Sequence, residues 1–135
     1  MARSIEVQEF PATQARIKAA QRAGVAVLLV LVVEFPRFAR NVAPTSIDVR
    51  IDEAAGSTVE VTLQGELVDA FHVETIAPRP EQVSATGDAM TYRFNAMPGE
   101  AHRIRFEGQF ETIGPVQGSI HAGPDAVPIR TFVHP

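Results

Sequence analysis

Hydrophobic and polar residues alternate along short segments in the C-terminal two-thirds of the chain. Residues 47–51 (IDVRI) and 59–63 (VEVTL) both place apolar side chains at every second position, and the residues AAGS lie between them. Successive side chains of a strand point to opposite faces, so a period of two predicts strands that are buried on one face. We therefore predict that these two segments form a hairpin.

The same alternation returns further along the chain. Residues 90–94 and 103–107 have it, and Pro98-Gly99 between them is a favoured turn pair, so they predict a second hairpin. Residues 71–76, 116–121 and 129–133 are further strand candidates, and the loop AGPDAVP separates the last two. From Val42 to the end of the sequence, helix is expected only as a turn near 67–70. The predicted core consists of ten residues from the four alternating segments: Ile47, Val49, Ile51, Val59, Val61, Leu63, Tyr92, Phe94, Ile104 and Phe106.

Seven or eight short strands with regularly spaced turns are typical of an antiparallel β-sandwich of immunoglobulin-like type. A small closed β-barrel is the alternative. At 135 residues the chain has the size of a single domain. We expect an N-terminal helical segment over residues 1–33 and the sandwich over residues 34–135.

The N-terminal segment contains an uninterrupted apolar run, AGVAVLLVLVV, at residues 23–33. It is preceded by ATQARIKAAQR, which is rich in helix-forming residues and follows Pro11. Three interpretations compete: a buried central strand, favoured by the many valines, a membrane anchor, or the apolar core of an export signal. We predict a helix from about Thr13 into the run that anchors the protein in the membrane. The anchor residues would be Ala23, Val25, Val27, Leu28, Leu29, Val30, Leu31, Val32 and Val33.

Charge is distributed unevenly along the chain. The residues up to Asn41 carry a formal charge of +3, whereas the remainder carries −7, for a net charge of −4. An acidic body argues against nucleic acid as a partner, because phosphate contacts need clustered Lys and Arg. A basic N-terminal segment is typical of sequence that stays on the cytoplasmic side of a membrane. The chain has no cysteine, which excludes disulfides and thiolate metal sites.

Several segments resemble an uncharacterised family of small bacterial proteins that have one N-terminal membrane helix and a β-rich domain. The resemblance lies in VEFPRFARNVAPTSIDVRI (33–51), LVDAFHVETIAPRPEQV (67–83), YRF followed by PGE (92–100), and the terminal RTFVHP. It implies a location at the bacterial inner membrane with the β-domain outside the cytoplasm, and an accessory role beside a membrane protein partner. A soluble cytoplasmic protein is the alternative location.

Candidate chemistry is sparse, and we predict no catalytic, cofactor-binding or metal-binding residues. His72, His102, His121 and His134, with Met90 or Met97, would suit a soft metal only if the strands converged. Asp69 and Glu74 flank His72 and are the other candidate cluster. Arg103, Arg105 and Glu107 share one strand face and, with Arg93, would form an anion patch unless they pair with acids across strands.

Phe35 and Phe38 bracket Pro36-Arg37 and are candidates for either the core or a lipid interface. We predict a non-enzymatic interaction or accessory module without a cofactor. The alternative is a soluble small-ligand or metal binder, or an enzyme, with a site near His72, Asp69 and Glu74.

Overall fold

Two β-sheets pack face to face in the computed structural model, which describes residues 14–22 and 28–135, the side chains from residue 31 onward. Sheet A has the strand order β1-β2-β4-β9-β6 and sheet B the order β3-β11-β10-β5-β8-β7. The elements in chain order are β1 (Gln14–Arg22), β2 (Leu28–Pro36), β3 (Phe38–Arg40), β4 (Thr45–Ile51), β5 (Thr58–Gly65), α1 (Glu66–Ala70), β6 (Phe71–Ala77), β7 (Gln82–Thr86), β8 (Ala89–Asn95), β9 (His102–Phe110), β10 (Gly114–Ala122) and β11 (Asp125–His134).

The predicted β-sandwich is confirmed, and its strands outnumber the seven or eight expected. Neighbouring strands are antiparallel except for β3, which pairs with β11 in parallel. Each sheet has two separate edge strands in the described part of the chain, so the sheets do not close into the barrel that was the alternative. The five-residue helix α1 is the short helical turn expected near 67–70, and it is the only helix in that part of the chain.

The core lies between the inner faces of the sheets. Burial alternates without a break along β11, and the same pattern holds over most of β4, β5 and β9. All ten residues of the predicted core are buried, and Phe106 and Tyr92 meet across the sheets with ring centroids 5.2 Å apart. The prediction of inward and outward faces is therefore confirmed.

The two predicted hairpins are wrong, because each joins strands of different sheets. Strand β4 belongs to sheet A and β5 to sheet B, while β8 belongs to sheet B and β9 to sheet A. The connections at 52–57 and 96–101 cross the sandwich side by side. Ala54 donates to the carbonyl of Glu100, and Gly99 donates to the carbonyl of Ala54. A six-residue connection is long enough to cross the spacing of about 10 Å between packed sheets.

Two true hairpins have two-residue turns. Gly87 and Asp88 join β7 to β8, a strand pair of which β7 was not predicted, and Gly123-Pro124 joins β10 to β11 where a longer loop was expected. Gly87 and Gly123 have φ values of 59° and 61°, a region that glycine enters without a steric cost. Strand β1 pairs with β2 as a third hairpin.

The predicted N-terminal helix is wrong where the structure describes the chain. Gln14–Arg22 and Leu28–Pro36 are antiparallel strands, and β2 also pairs with β4. Leu31 and Val33 are 1% and 0% exposed, so these two members of the predicted anchor pack inside the sandwich with Ile47 and Val49. From Leu28 onward the valine-rich run pairs its backbone with neighbouring strands, as the central-strand interpretation required.

Other members of the predicted anchor are less fully described. Ala23, Val25 and Val27 lie outside the described residues, and the backbone of Leu28, Leu29 and Val30 belongs to β2, as does the buried Val32. The domain boundary expected between residues 33 and 34 falls within this strand. Among the described residues, no helix has the length and apolar character needed to cross a bilayer.

Helix α1 covers one end of the core because β10 has a glycine beneath it. Leu67 is fully buried, and a Cβ added at Gly118 would lie 2.6 Å from the Leu67 Cβ and 2.5 Å from the Gln64 carbonyl oxygen. Any side chain larger than hydrogen at position 118 would therefore push α1 away from the sheet. The close approach of α1 to β10 thus fixes the position of the connection between β5 and β6.

The substitution Val33→Asp should unfold the domain, because it places an unpaired carboxylate in the core. We expect a loss of more than about 4 kcal/mol in the free energy of unfolding, measured by denaturant titration. The control is Val42→Asp, at a valine that is 58% exposed, with φ 54°, a conformation that Asp tolerates better than Val. If the Val33 variant were folded and merely released from membranes, β2 would be an anchor and not a core strand.

The substitution Gly118→Ala should lower stability by about 1–3 kcal/mol, since the added methyl group overpacks the contact with α1. Gly56→Ala is the matched control, because a Cβ at Gly56 meets no atom within 4 Å. Thermal denaturation of both variants measures the difference. Equal melting temperatures would mean that α1 does not pack closely on β10.

Candidate functional site

Large apolar side chains are exposed mainly at one end of sheet B. In the described part of the chain six are exposed, and four of these, Phe38, Val42, Ile113 and Phe132, lie near the start of β10 and the end of β11. The backbone fixes this proximity. Phe38 is paired in register with Phe132, Gly114 after Ile113 is paired with Val133, and Asn41 before Val42 donates to the carbonyl of His134.

Three aromatic rings and a proline form the centre of this region, and we call Phe38, Pro115, Phe132 and His134 the aromatic patch. The His134 ring lies 5.0 Å from the Phe132 ring and 5.8 Å from the Phe38 ring, measured between centroids. Pro115 is opposite Phe132 on β10. Phe38 and Phe132 remain 48% and 41% exposed. The patch therefore presents a cluster of neighbouring aromatic rings to solvent on the outer face of the sheet.

The aromatic patch exists because the chain changes sheets at Pro36-Arg37. Strand β2 ends in sheet A with Phe35 buried, and β3 begins in sheet B with Phe38 exposed. The hydroxyl of buried Thr131 donates to the Pro36 carbonyl at 2.8 Å, and the Phe132 amide donates to the Arg37 carbonyl at 2.9 Å. These two bonds hold the crossing against β11 and bring Phe38 beside Phe132.

Three arginines surround the aromatic patch. Arg130 lies two residues before Phe132 on the outward face of β11, and Arg40 is paired in register with His134. Arg37 and Arg130, with Phe38, Pro115, Gln117 and Phe132, line a shallow groove of about 350 Å³. This concentration of positive charge lies on a domain whose residues 34–135 carry a net formal charge of −6. The region thus combines exposed aromatic rings with guanidinium groups.

The outer face of sheet A is different, because two of its arginines, Arg50 and Arg105, form ion pairs with acidic residues of the same sheet or its adjoining loop. Arg105 donates from Nε and Nη2 to the two carboxylate oxygens of Asp48 at 2.8 and 3.3 Å, and it lies 3.7 Å from Glu107. Arg50 binds Asp52 at 2.9 Å. These bonds and the charge of Asp48 raise the pKa of Arg105. The predicted cross-strand pairing is therefore confirmed for Arg105, and the anion patch is not formed.

Arg93, the fourth member of that predicted patch, lies on β8 in the other sheet. Its side chain is thus separated from Arg103 and Arg105 by the thickness of the sandwich. Period-two patterning indicates which residues share a face of one strand, but it does not indicate which strands share a sheet. The grouping of these arginines depended on the second hairpin, which does not form.

The predicted cluster of Asp69, His72 and Glu74 is not brought together. All three side chains are exposed, with Asp69 on α1 and the other two on the edge strand β6. No hydrogen bond or ion pair joins these three described residues. Glu74 lies at the bulge between Val73 and Thr75, where the pairing of β6 with β9 shifts register. The arrangement offers no acid and base pair.

The four histidines lie on four different strands. His121 shares a 2.8 Å hydrogen bond with Ser119, His134 belongs to the aromatic patch, and His102 packs against Phe94 at 5.8 Å. No group of three or more His, Asp or Glu side chains in the described part of the chain has the geometry to hold a metal ion. The convergence of strands that a metal site at the four histidines required is therefore not seen among these residues.

Sequence reasoning missed the aromatic patch, although one signal for it was present. In the last strand three of the five inward positions are apolar, Val127, Ile129 and Val133, and the outward positions include Arg130 and His134, yet Phe132 occupies an outward position. An aromatic residue in the polar phase of a strand indicates a contact surface. Phe38 carried no such signal, because its short strand has no alternation to compare with.

The stability of the domain should fall on acidification, because burial lowers the pKa of His102 below 6.5. Its Nε2 atom is buried without a hydrogen-bond partner. The unfolded chain takes up this proton at higher pH than the folded chain, so stability falls as the pH drops through about 6.5 toward the lower folded-state pKa. Denaturant titrations at pH 7.5 and 5.5 measure how much the free energy of unfolding falls between the two pH values. This fall should be smaller for His102→Gln than for the native chain. The exposed His72→Gln is the control, and an identical reduction in both variants would contradict the assignment to His102.

Comparison with known proteins gives little beyond this geometry. No protein-family model matches the sequence, and no curated protein matches it. Among solved structures the chain is similar to a non-cellulosomal cohesin from the hyperthermophilic archaeon Archaeoglobus fulgidus. The two are 10% identical, with 72% of this chain and 78% of that chain covered and a TM-score of 0.44. A similarity of this size assigns no function.

Proposed function

We propose that this domain is a non-enzymatic protein–protein interaction module that binds its partner through the aromatic patch and the arginines around it. The observation that carries the proposal is the position of Phe38 and Phe132, two large rings side by side and about half exposed. Leaving such rings in water forgoes the free energy that their burial would contribute to folding. A partner that covers the two rings on binding gains part of this free energy.

The chemistry of the surface selects the partner. Aromatic and arginine side chains are enriched among the residues that dominate binding energy at protein interfaces. Guanidinium groups bind carboxylates through paired hydrogen bonds, so Arg40 and Arg130 favour an acidic segment. The partner that fits is a protein segment with an apolar or aromatic side chain for the groove and Asp or Glu residues beside it.

The predicted attachment to a membrane stays a prediction. The anchor was assigned to residues 23–33, and the last three of these pack within the domain. The interaction function does not depend on that attachment, because the aromatic patch is formed entirely by residues of β3, β10 and β11. A membrane protein and a soluble protein with an acidic segment are equally suitable partners.

Selection from a library of displayed random peptides on the full chain tests the proposal. A double variant that carries Phe132→Ser and Arg130→Ser serves for counter-selection, and peptides that also bind it are removed. The remaining peptides should be enriched in acidic and aromatic residues. Calorimetry of a synthetic peptide should then show at least tenfold weaker binding to the double variant. Binding to the native chain should also weaken as salt is raised, because screening reduces the carboxylate–guanidinium attraction.

The matched control removes one exposed apolar residue and one exposed arginine elsewhere on the surface. Met97 is 64% exposed and Arg79 is also exposed, so Met97→Ser with Arg79→Ser should leave peptide binding unchanged. Peptides without acidic enrichment, or peptides that bind the Phe132 and Arg130 double variant as tightly as the native chain, would overturn the proposed site.

A further inference from the structure

Strand β7 forms the edge of sheet B opposite β3. All five residues of β7, QVSAT, are exposed, and among the described strands it pairs only with β8. Its outward edge therefore presents backbone N–H and C=O groups that have no described strand beside them. Such an edge is a template for pairing with another chain.

The usual protections of an edge strand are absent from β7. Proteins protect edges with lysines, prolines, bulges or inward-pointing charges, whereas these five residues include no charged residue, no proline and no glycine. The register with β8 runs without a shift from Gln82 to Thr86. The nearest acidic side chain before the strand, Glu81, accepts a 2.9 Å hydrogen bond from Asn95 of the same chain.

We propose that β7 pairs with β7 of a second copy of this chain, antiparallel and centred on Ser84. A second copy is the partner we infer, because the five residues of β7 can face the same five residues in antiparallel order without a clash of charge. In that register Ser84 is opposite Ser84 of the other copy, Val83 is opposite Ala85, and Gln82 is opposite Thr86. No like charges face each other, and the two copies of sheet B become continuous.

Each face of the paired strands gains suitable contacts. Val83 is paired with Tyr92 in the register and is 47% exposed, so the Ala85 of the second copy would cover an apolar side chain that now contacts water. Gln82, Ser84 and Thr86 occupy the other face, where cross-strand polar pairs stabilise a sheet. The dimer is independent of the aromatic patch, which lies at the other edge of the same sheet.

Cysteine cross-linking tests the pairing and its register, because the chain has no cysteine of its own. In the proposed register the two Ser84 Cα atoms lie about 4.5–5.5 Å apart, within the range that a disulfide bridges. Mild oxidation of the full-length Ser84→Cys variant should convert most of it to a covalent dimer. The control is Gln82→Cys on the same face, whose two copies would be about 14 Å apart, at about 3.4 Å per residue. It should give at least tenfold less cross-linked dimer.

Sedimentation of the unmodified chain gives an independent measurement. The native protein should show concentration-dependent dimerisation, and Val83→Lys should weaken the association at least tenfold without unfolding an already exposed position. Val42→Lys, at another exposed valine outside β7, should leave the association unchanged. A native chain that stays monomeric at several hundred micromolar would overturn the proposal and leave β7 open to a strand of another protein. Equal cross-linking of the two cysteine variants would overturn the register.

Discussion

The packing of two apolar sheet faces against each other determines the orientation of the side chains along the strands. Phe106 of sheet A meets Tyr92 of sheet B in this layer, and Val33 and Ile47 lie in the same core with no exposed surface. A strand in such a sandwich must keep its alternation in phase with its neighbours, because a slip of one residue would turn its apolar side chains outward. The inner layer thus restricts the register of both sheets, and the side chains that alternate with the core residues lie on the outer faces.

Frequent crossing between the sheets is what assembles the surface features. In the described part of the chain only three pairs of consecutive strands lie side by side in one sheet, β1 with β2, β7 with β8 and β10 with β11. Each of the other pairs of consecutive strands is divided between the two sheets. The crossing at Pro36-Arg37 places Phe35 inside and Phe38 outside within four residues. The same crossing brings a residue from the N-terminal third of the chain beside Phe132 near the C-terminus. The aromatic patch is therefore a product of topology.

The two edges of sheet B differ in chemistry, and the proposed functions use this difference. The β3 edge carries neighbouring aromatic rings and arginines, whereas the five residues of the β7 edge are uncharged and have no further described strand beside them. A dimer formed through β7 would hold two aromatic patches on one continuous sheet. Two linked sites raise the overall strength of binding to a partner that offers two acidic segments at a compatible spacing. Weak individual contacts at each patch would then suffice.

The sequence by itself determined the class of fold and the inward face of each recognised strand, because alternation with a period of two is a local property. It identified all ten predicted core residues and the short helix at 66–70. It did not determine which strands are neighbours, since a hairpin and a crossing preserve the same alternation. The apolar run up to Val33 was assigned to a helix because its lack of alternation fits both a lipid-facing helix and a central strand. Only the tertiary structure decided between them, by pairing β2 with β4, and only the crossing at Pro36 brought Phe38 to Phe132.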